Sequence, residues 1–423
     1  MILRTAAAMG VALTAACAVS EPVATAPAPT ARAAPAAAQP GESFTAWREG
    51  FRARALAAGV SGATFNAAFD GVAPNARVLE LDSFQPEFAR PIWDYLDSAV
   101  SETRVANGRL QAAQKADALA RIAARYGVEA PVFLAIWGIE SAFGANYGDI
   151  PVIEALATLA YEGRRRAFGE EQLLAALRIL DAGDVTPDRM VGSWAGAMGH
   201  TQFIPTSFIA YAVDFTGDGR RDLWSADALD ALASTANYLA RFGWTKGAPW
   251  GVEAALPPGF DYAMADERRR PVADWRALGV TGDDGAPLAD HGDAALILPA
   301  GAQGPAFIVY PNFFVIKRYN NATSYALAVG HLADRIAGGG PFLSPWPRGE
   351  RALSRSEKEE MQVRLTLLGF DARGADGVVG PDTRAAIRAW QRARGLPADG
   401  FDSAGLLEAL RRETGAQAVR TGG

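Results

Sequence analysis

Between Pro131 and Gly148 the chain reads PVFLAIWGIESAFGANYG, and the only charged side chain in that stretch is Glu140; no other occurs between Glu129 and Asp149. Val132, Phe133, Leu134, Ile136, Trp137 and Ile139 make the segment apolar on every face, and a proline stands where a first helical turn accepts one. The pattern predicts a helix buried inside a domain. A carboxyl taken out of water holds its proton more tightly, and a Glu that is still protonated near neutral pH is in the state a general acid requires. A structural Glu, paired with a distant Arg or hydrogen-bonded to backbone, fits the same pattern. The residue alone leaves both roles open.

A second stretch with chemistry in it runs from Met190 to Gly219, MVGSWAGAMGHTQFIPTSFIAYAVDFTGDG, dense in Gly, Ser, Gln and aromatic residues. Glycines at this density place backbone close against a ligand or a neighbouring helix. At its end Asp214, Thr216, Asp218 and Gly219 follow the opening of a calcium-binding EF-hand loop, with Arg220 able to add its carbonyl. Ser225 stands where the closing bidentate Glu belongs, so an Asx-rich turn without an ion fits as well. The histidines, His200, His291 and His331, are scattered and Cys17 is the single cysteine, which argues against a zinc site or a Cys/His nucleophile pair.

The elements that must position these groups are mostly helices. Of 423 residues 49% are hydrophobic and 21% charged, enough for two or three packed domains. The net charge of -6, with no basic run interleaved with aromatics, argues against nucleic acid as a partner. Residues 1–18 read as an export signal, with Arg4 before a short apolar stretch. Leu13-Thr14-Ala15-Ala16 before Cys17 resembles a lipoprotein cleavage box, its leucine one place too early. Lipid anchoring through Cys17 and a simple soluble export signal both stay open, and acylation would make the chain peripheral to a membrane. Residues 19–42, mostly Ala, Pro, Thr and Val, read as a disordered linker.

Apolar residues recur at helical spacing from Phe44 through Leu96, from Leu110 to Tyr126, from Glu170 to Leu180 and from Asp227 to Phe242. Between Gly251 and Tyr310 the pieces 294–298 and 306–310 alternate with turns and predict a small β insertion. Helix resumes to residue 337. A Pro/Gly linker, 338–350, then leads to a unit of three helices over 351–413 and a short tail, 414–423. The expected class is α+β, mostly helical.

Three stretches, GIESAFGANYG, SWAGAMGHTQFIPTSF with YAVDFTGDGRRDLW, and KRYNNATSYALAV, resemble the bacterial lytic murein transglycosylases of the membrane-bound B type. The resemblance implies a lysozyme-like catalytic domain over 43–337 that contains the β insertion. LLGF, DGVVGPDTRAAIRAWQ and GLPADG resemble the small three-helix peptidoglycan-binding domain. Together they imply an exported enzyme of the periplasm acting on peptidoglycan glycan strands, anchored to the outer membrane if Cys17 is acylated. By this resemblance Glu140 is the catalytic acid and then the base that forms a 1,6-anhydro sugar at N-acetylmuramic acid, with no cofactor needed for the chemistry. Ser193, Gln202, Phe203, Tyr238, Tyr319, Asn320 and Tyr325 match substrate-contacting positions. A structural calcium would be held by Asp214, Thr216, Asp218 and Arg220, and closed by Asp230 in place of the missing Glu. Glu154 and Glu162 read as ordinary surface or structural charges, Trp194 and Met198 as packing. A muramidase of the same fold and a non-catalytic wall-binding protein are the competing readings.

Overall fold

The computed structural model describes residues 42–83 and 90–415; the export signal with Cys17, nearly all of the 19–42 linker and most of the tail lie outside them. Seven helices come first: α1 (Phe44–Ala57), α2 (Gly62–Ala68), α3 (Ala76–Ser83), α4 (Ile92–Ala99), α5 (Glu102–Gln114), α6 (Ala116–Tyr126) and α7 (Ala130–Ser141). Ser43, Ser61 and Ser101 start three of them, their hydroxyls accepting the backbone N–H of Ala46, Thr64 and Arg104. Each cap satisfies a donor that the first helical turn leaves free. A two-residue ribbon of β1 (Ile150–Pro151) and β2 (Val191–Gly192) encloses α8 (Val152–Tyr161) and α9 (Arg166–Asp181); α10 (Pro205–Tyr211) and α11 (Leu229–Arg241) follow.

The expected β insertion is a four-stranded antiparallel sheet. Its strands are β3 (Gly251–Ala255), β4 (Thr281–Gly282), β5 (Ala295–Ile297) and β6 (Ala306–Val309), in the order β4-β3-β6-β5, with α12 (Val272–Ala277) between β3 and β4. Both faces of the sheet are buried, which is why β5 and β6 read as continuous apolar runs. Alternate residues explain it: Ala295, Ile297, Phe307 and Val309 face the main core, whereas Leu296, Ala306 and Ile308 join Phe260, Val272 and Trp275 in a core of the insertion's own.

The chain returns to the main body through α13 (Pro311–Tyr319) and α14 (Thr323–Ile336). Helices α5, α6, α11 and α14 surround α7: every residue from Val132 to Gly138 is buried, and the helix is partly open only toward its ends, at Ala130, Pro131, Ile139 and Glu140. The all-round apolar pattern thus marks the central helix, as expected.

The last unit holds α15 (Arg355–Leu367), α16 (Pro381–Ala393) and α17 (Ala404–Thr414) around Met361, Leu365, Ile387, Trp390 and Leu407. Gln362, buried, organises the DGVVGPDT turn: its amide donates to Asp376 at 3.1 Å and Thr383 at 3.0 Å while accepting the N–H of Gly377 at 2.9 Å. The Pro/Gly composition of 338–350 predicts a flexible tether, and here the structure differs. Phe342 stacks on His331 at 3.8 Å and lies edge-on to Phe307 at 4.8 Å; the N–H groups of Leu343 and Ser344 bond Glu253 at 2.7 and 2.6 Å. Arg348 forks onto Asp97 at 2.7 and 2.9 Å. The large aromatic side chains among the prolines and glycines hold the segment, because Phe307 offers them an apolar surface to cover. Among the described residues no single helix is long and apolar enough to cross a membrane.

Candidate active site

Glu140 lies in the last turn of α7, where the helix's free carbonyls form its negative end and disfavour a carboxylate. The side chain keeps an edge toward solvent but is closely crowded by protein. Burial raises its pKa from 4.5 to about 7, against the opposing pull of a 2.6 Å hydrogen bond that Tyr325 donates to Oε1. No second carboxylate among the described residues contributes to that shift. Glu154 instead accepts the Asn75 amide at 2.6 Å, and Glu162 is exposed just beyond α8.

Directly after Glu140 the chain reverses through two non-glycine residues with left-handed backbone, Ala142 at φ 50° and Phe143 at φ 60°. Each costs on the order of 1 kcal/mol. What holds them is packing: the Phe143 ring folds back edge-on to Trp137 at 5.4 Å and lies over Gly138, where a Cβ would come within 2.6 Å of it. Ser141 fixes the turn from the other side. Its hydroxyl donates to the His200 carbonyl at 2.6 Å and accepts the Gly144 N–H at 3.0 Å. His200 Nδ1 accepts from the Trp137 indole at 3.1 Å, so Nε2 carries the proton and donates to the Ser225 carbonyl at 2.8 Å. The Gly-rich run is strapped to α7 through these bonds.

Aromatic side chains from four other places converge on the same region. The rings of Tyr319 and Tyr325 lie nearly parallel, 6.5 Å apart at 7°. Tyr238 meets Tyr319 edge-on at 5.1 Å, and Phe203 packs 5.8 and 5.7 Å from Tyr238 and Tyr319. Tyr238 donates to the Arg318 carbonyl at 2.6 Å, and Tyr319 to that of Thr201. Burial, and after it the charge of Glu140, push the Tyr319 and Tyr325 hydroxyls well above the ordinary tyrosine range, so both remain donors.

Of the residues singled out in the sequence, Glu140, Phe203, Tyr238, Tyr319 and Tyr325 thus form one contiguous group. Gln202, left-handed at φ 54°, adjoins it and spends its amide N–H groups on the carbonyls of Tyr147 and Gly199, both at 2.9 Å. Ser193 sits in the turn between β2 and Met198, its hydroxyl accepting the N–H of Ala195 and Ala197 at 3.3 and 3.1 Å. Asn320 is exposed beside Tyr319 and accepts the Ala322 N–H at 3.1 Å. Met198 is fully buried, in keeping with a packing role. Two features escape the sequence. Tyr95 on α4 is close enough to Glu140 that the carboxylate's charge raises the pKa of its hydroxyl, after burial; nothing in its amphipathic helix marks it. His200 stood out only as one of three scattered histidines.

Carboxylate oxygens of Asp214, Asp218 and Asp230 lie within 4.8 Å of one another, so Asp230 does close the loop across its longer connection. Asp230, buried at the start of α11, accepts the N–H of Phe215, Thr216 and Asp222 at 2.9–3.0 Å, which shapes the loop around it. Asp214 accepts the N–H of Gly217 at 2.6 Å and, more weakly, the Thr216 hydroxyl at 3.4 Å; the Arg220 N–H bonds Asp218 at 2.9 Å. Ser225 turns away to Asp227 at 2.8 Å. Convergent hard oxygens of this kind fit calcium.

Residues 43–334 match the family model described as transglycosylase SLT domain, and 354–410 match that of a peptidoglycan binding domain. Membrane-bound lytic murein transglycosylase B of Escherichia coli (strain K12) is 37% identical over 251 residues, 57% of this chain and 66% of that protein, just under two thirds of its length. SltB3 of Pseudomonas aeruginosa, solved in complex with NAG-anhNAM-pentapeptide, superposes with a TM-score of 0.85 at 51% identity, covering 88% of this chain and all, 100%, of that one. The Escherichia coli lytic transglycosylase Slt35, solved in complex with calcium, gives 0.60 at 31% identity, over 69% of this chain and 92% of that one. A lysozyme-like helical fold around one buried carboxyl and a cluster of tyrosines, with a separate wall-binding unit, defines a lytic transglycosylase of the cell wall. The chain belongs to the transglycosylase SLT domain family.

Proposed function

We propose that this protein cleaves the β-1,4 bond between N-acetylmuramic acid and N-acetylglucosamine in peptidoglycan, with Glu140 acting first as acid and then as base. A carboxyl with a pKa of about 7 carries a proton at neutral pH and can also give it up, which is what both half-reactions need. Protonated Glu140 transfers its proton to the glycosidic oxygen while C1 of the muramic acid gains oxocarbenium character and the N-acetylglucosamine 4-hydroxyl departs. The resulting carboxylate, steadied by the Tyr325 hydroxyl, takes the proton from the 6-hydroxyl as O6 bonds to C1. The product is a 1,6-anhydro sugar, the acid is regenerated, and no water is consumed.

The observation that carries this reading is the solitary, raised carboxyl. A retaining hydrolase needs a second carboxylate about 5–5.5 Å away as nucleophile; here burial and the Tyr325 hydroxyl set the proton affinity of Glu140. Tyr319, half-buried, is the member of the aromatic group placed to meet a sugar ring, backed from the core by Phe203, Tyr238 and Tyr325, with Ser193, Gln202 and Asn320 as polar contacts. That SltB3 was solved with an anhydro-muramic ligand supports the same product. Mass spectrometry of sacculus digests tests it: anhydro-muropeptides are expected, and products heavier by one water would replace this reading with a muramidase. A calcium ion on Asp214, Thr216, Asp218, Arg220 and Asp230 would brace the loop beside the cleft without touching the sugar, in line with the calcium complex of Slt35. The site of action is the periplasm, with acylation of Cys17 deciding attachment to the outer membrane.

A further inference from the structure

The C-terminal unit touches the rest of the chain at the β insertion: Asp399 accepts the Ala302 N–H at 2.8 Å, and Arg388 donates to the Ala265 carbonyl at 2.7 Å. Between them lies a cavity of about 120 Å³ lined by Ile92, Glu267, Thr323, Arg384, Arg388 and Asp399 among others. Arg384 and Arg388 stand one turn apart on α16, a spacing at which like charges repel. Neither has an ion-pair partner among the described residues, and Nε of Arg388 is buried with nothing to bond. A buried donor left in this way destabilises a protein unless a ligand or water meets it.

The carboxylates nearby are already engaged. Glu267 pairs with Lys317 at 3.3 Å, Asp266 with Arg270 at 3.0 Å, and Asp399 accepts from Gln391 at 2.6 Å as well as from Ala302. Arg384, together with the N–H groups that Arg388 does not spend on Ala265, therefore offers donors suited to a carboxylate. The cavity is too small for a sugar ring and its neighbours, since whole-ligand pockets run to about 300 Å³ or more. It is large enough for one acidic group at the end of a longer ligand. Its lining includes Ile92 of α4 and Thr323 of α14, the helices that also carry Tyr95 and Tyr325.

In peptidoglycan the muramic lactyl group is amidated wherever a stem peptide is attached, so the glycan there is neutral and the carboxylates belong to the peptide. We infer that Arg384 and Arg388 form a subsite for a carboxylate of the stem peptide, so that the wall-binding unit takes part in choosing peptide-bearing strands for cleavage. This inference rests on the peptidoglycan reading above.

The experiment compares cleavage of peptide-bearing glycan strands with the same strands after their peptide carboxyls have been converted to carboxamides. For the unmodified protein KM is expected to be about tenfold lower on the carboxylate form, the scale of one charge-assisted hydrogen bond. Arg384→Gln, at an exposed position without a bonded partner, is expected to bring the two KM values together by raising that for the carboxylate form. Equal KM values for the unmodified protein, or full discrimination retained by Arg384→Gln, would overturn the subsite. Failure of the unmodified protein to cleave either strand would instead overturn the proposed function, and the subsite with it.

Discussion

Tyr325 donates a 2.6 Å hydrogen bond to Glu140 from 185 residues away along the chain. The bond favours the ionised carboxyl, while burial favours the protonated one, and burial prevails to leave the pKa at about 7. Removing the hydroxyl while keeping the ring should therefore raise the pKa further. In Tyr325→Phe the alkaline limb of the kcat/KM profile, expected near pH 7 in the unmodified protein, should move to higher pH, with a lower plateau because the anion loses its donor. A limb that stays in place or moves down would show that Tyr325 does not set the proton affinity of Glu140.

Glu140→Gln should remove activity and add stability. Loss of a general acid–base costs about 10²–10⁴-fold or more in rate. The folded chain holds this proton more tightly than the unfolded chain, whose carboxyl titrates near 4.5, so the stabilising contribution is complete below that pH and is lost as pH rises through about 7. Above that pH the ionised Glu140 is a liability of about 3 kcal/mol. Glutamine keeps the acceptor for Tyr325 without the charge. Melting curves of the two proteins should nearly coincide at pH 4 and separate at pH 8, with the variant the more stable; the reverse order would contradict the burial argument.

Gly138 gives a prediction in which two effects oppose each other. On helix propensity alone, alanine would be favoured by about 1 kcal/mol. Its Cβ, however, would meet the Phe143 ring at 2.6 Å, and overpacking of that kind costs about 1–3 kcal/mol. Urea unfolding of Gly138→Ala should show a lower midpoint. Activity should fall as well, because Phe143 holds the reversal that follows Glu140. A raised midpoint would mean that the ring moves aside without penalty.

Calcium should act on stability and not on the chemical step. At calcium a hundredfold above Kd, binding to the folded state alone contributes about 2.7 kcal/mol. Differential scanning calorimetry with calcium and then with excess chelator should show a matching fall in Tm. Asp230→Asn should abolish the response, since Asp230 is the carboxylate that closes the cluster. A calcium response that survives this change would place the ion elsewhere.

Some of this protein was decided by sequence alone. A segment apolar on every face cannot lie at a surface, so the run from Val132 had to be a buried helix, and a lone carboxyl on it had to be either satisfied or reactive. The β insertion, the turn at Asp376 and the loop begun by Asp214 follow equally from local pattern, because short apolar runs, capping and turn chemistry act over a few residues. What the sequence could not decide was which distant groups meet. Tyr325 and Tyr95 come to Glu140 from separate helices, His200 links Trp137 to Ser225, and Asp230 closes a loop from which the expected Glu is missing. The 338–350 segment, by composition a tether, is held by Phe307 and Glu253, which lie in the sheet and not in the segment itself. A proton affinity near 7 at Glu140 has the same origin. It is set by how completely the packed core excludes water and by one hydroxyl that points back at the carboxyl, and both exist only after the helices have assembled.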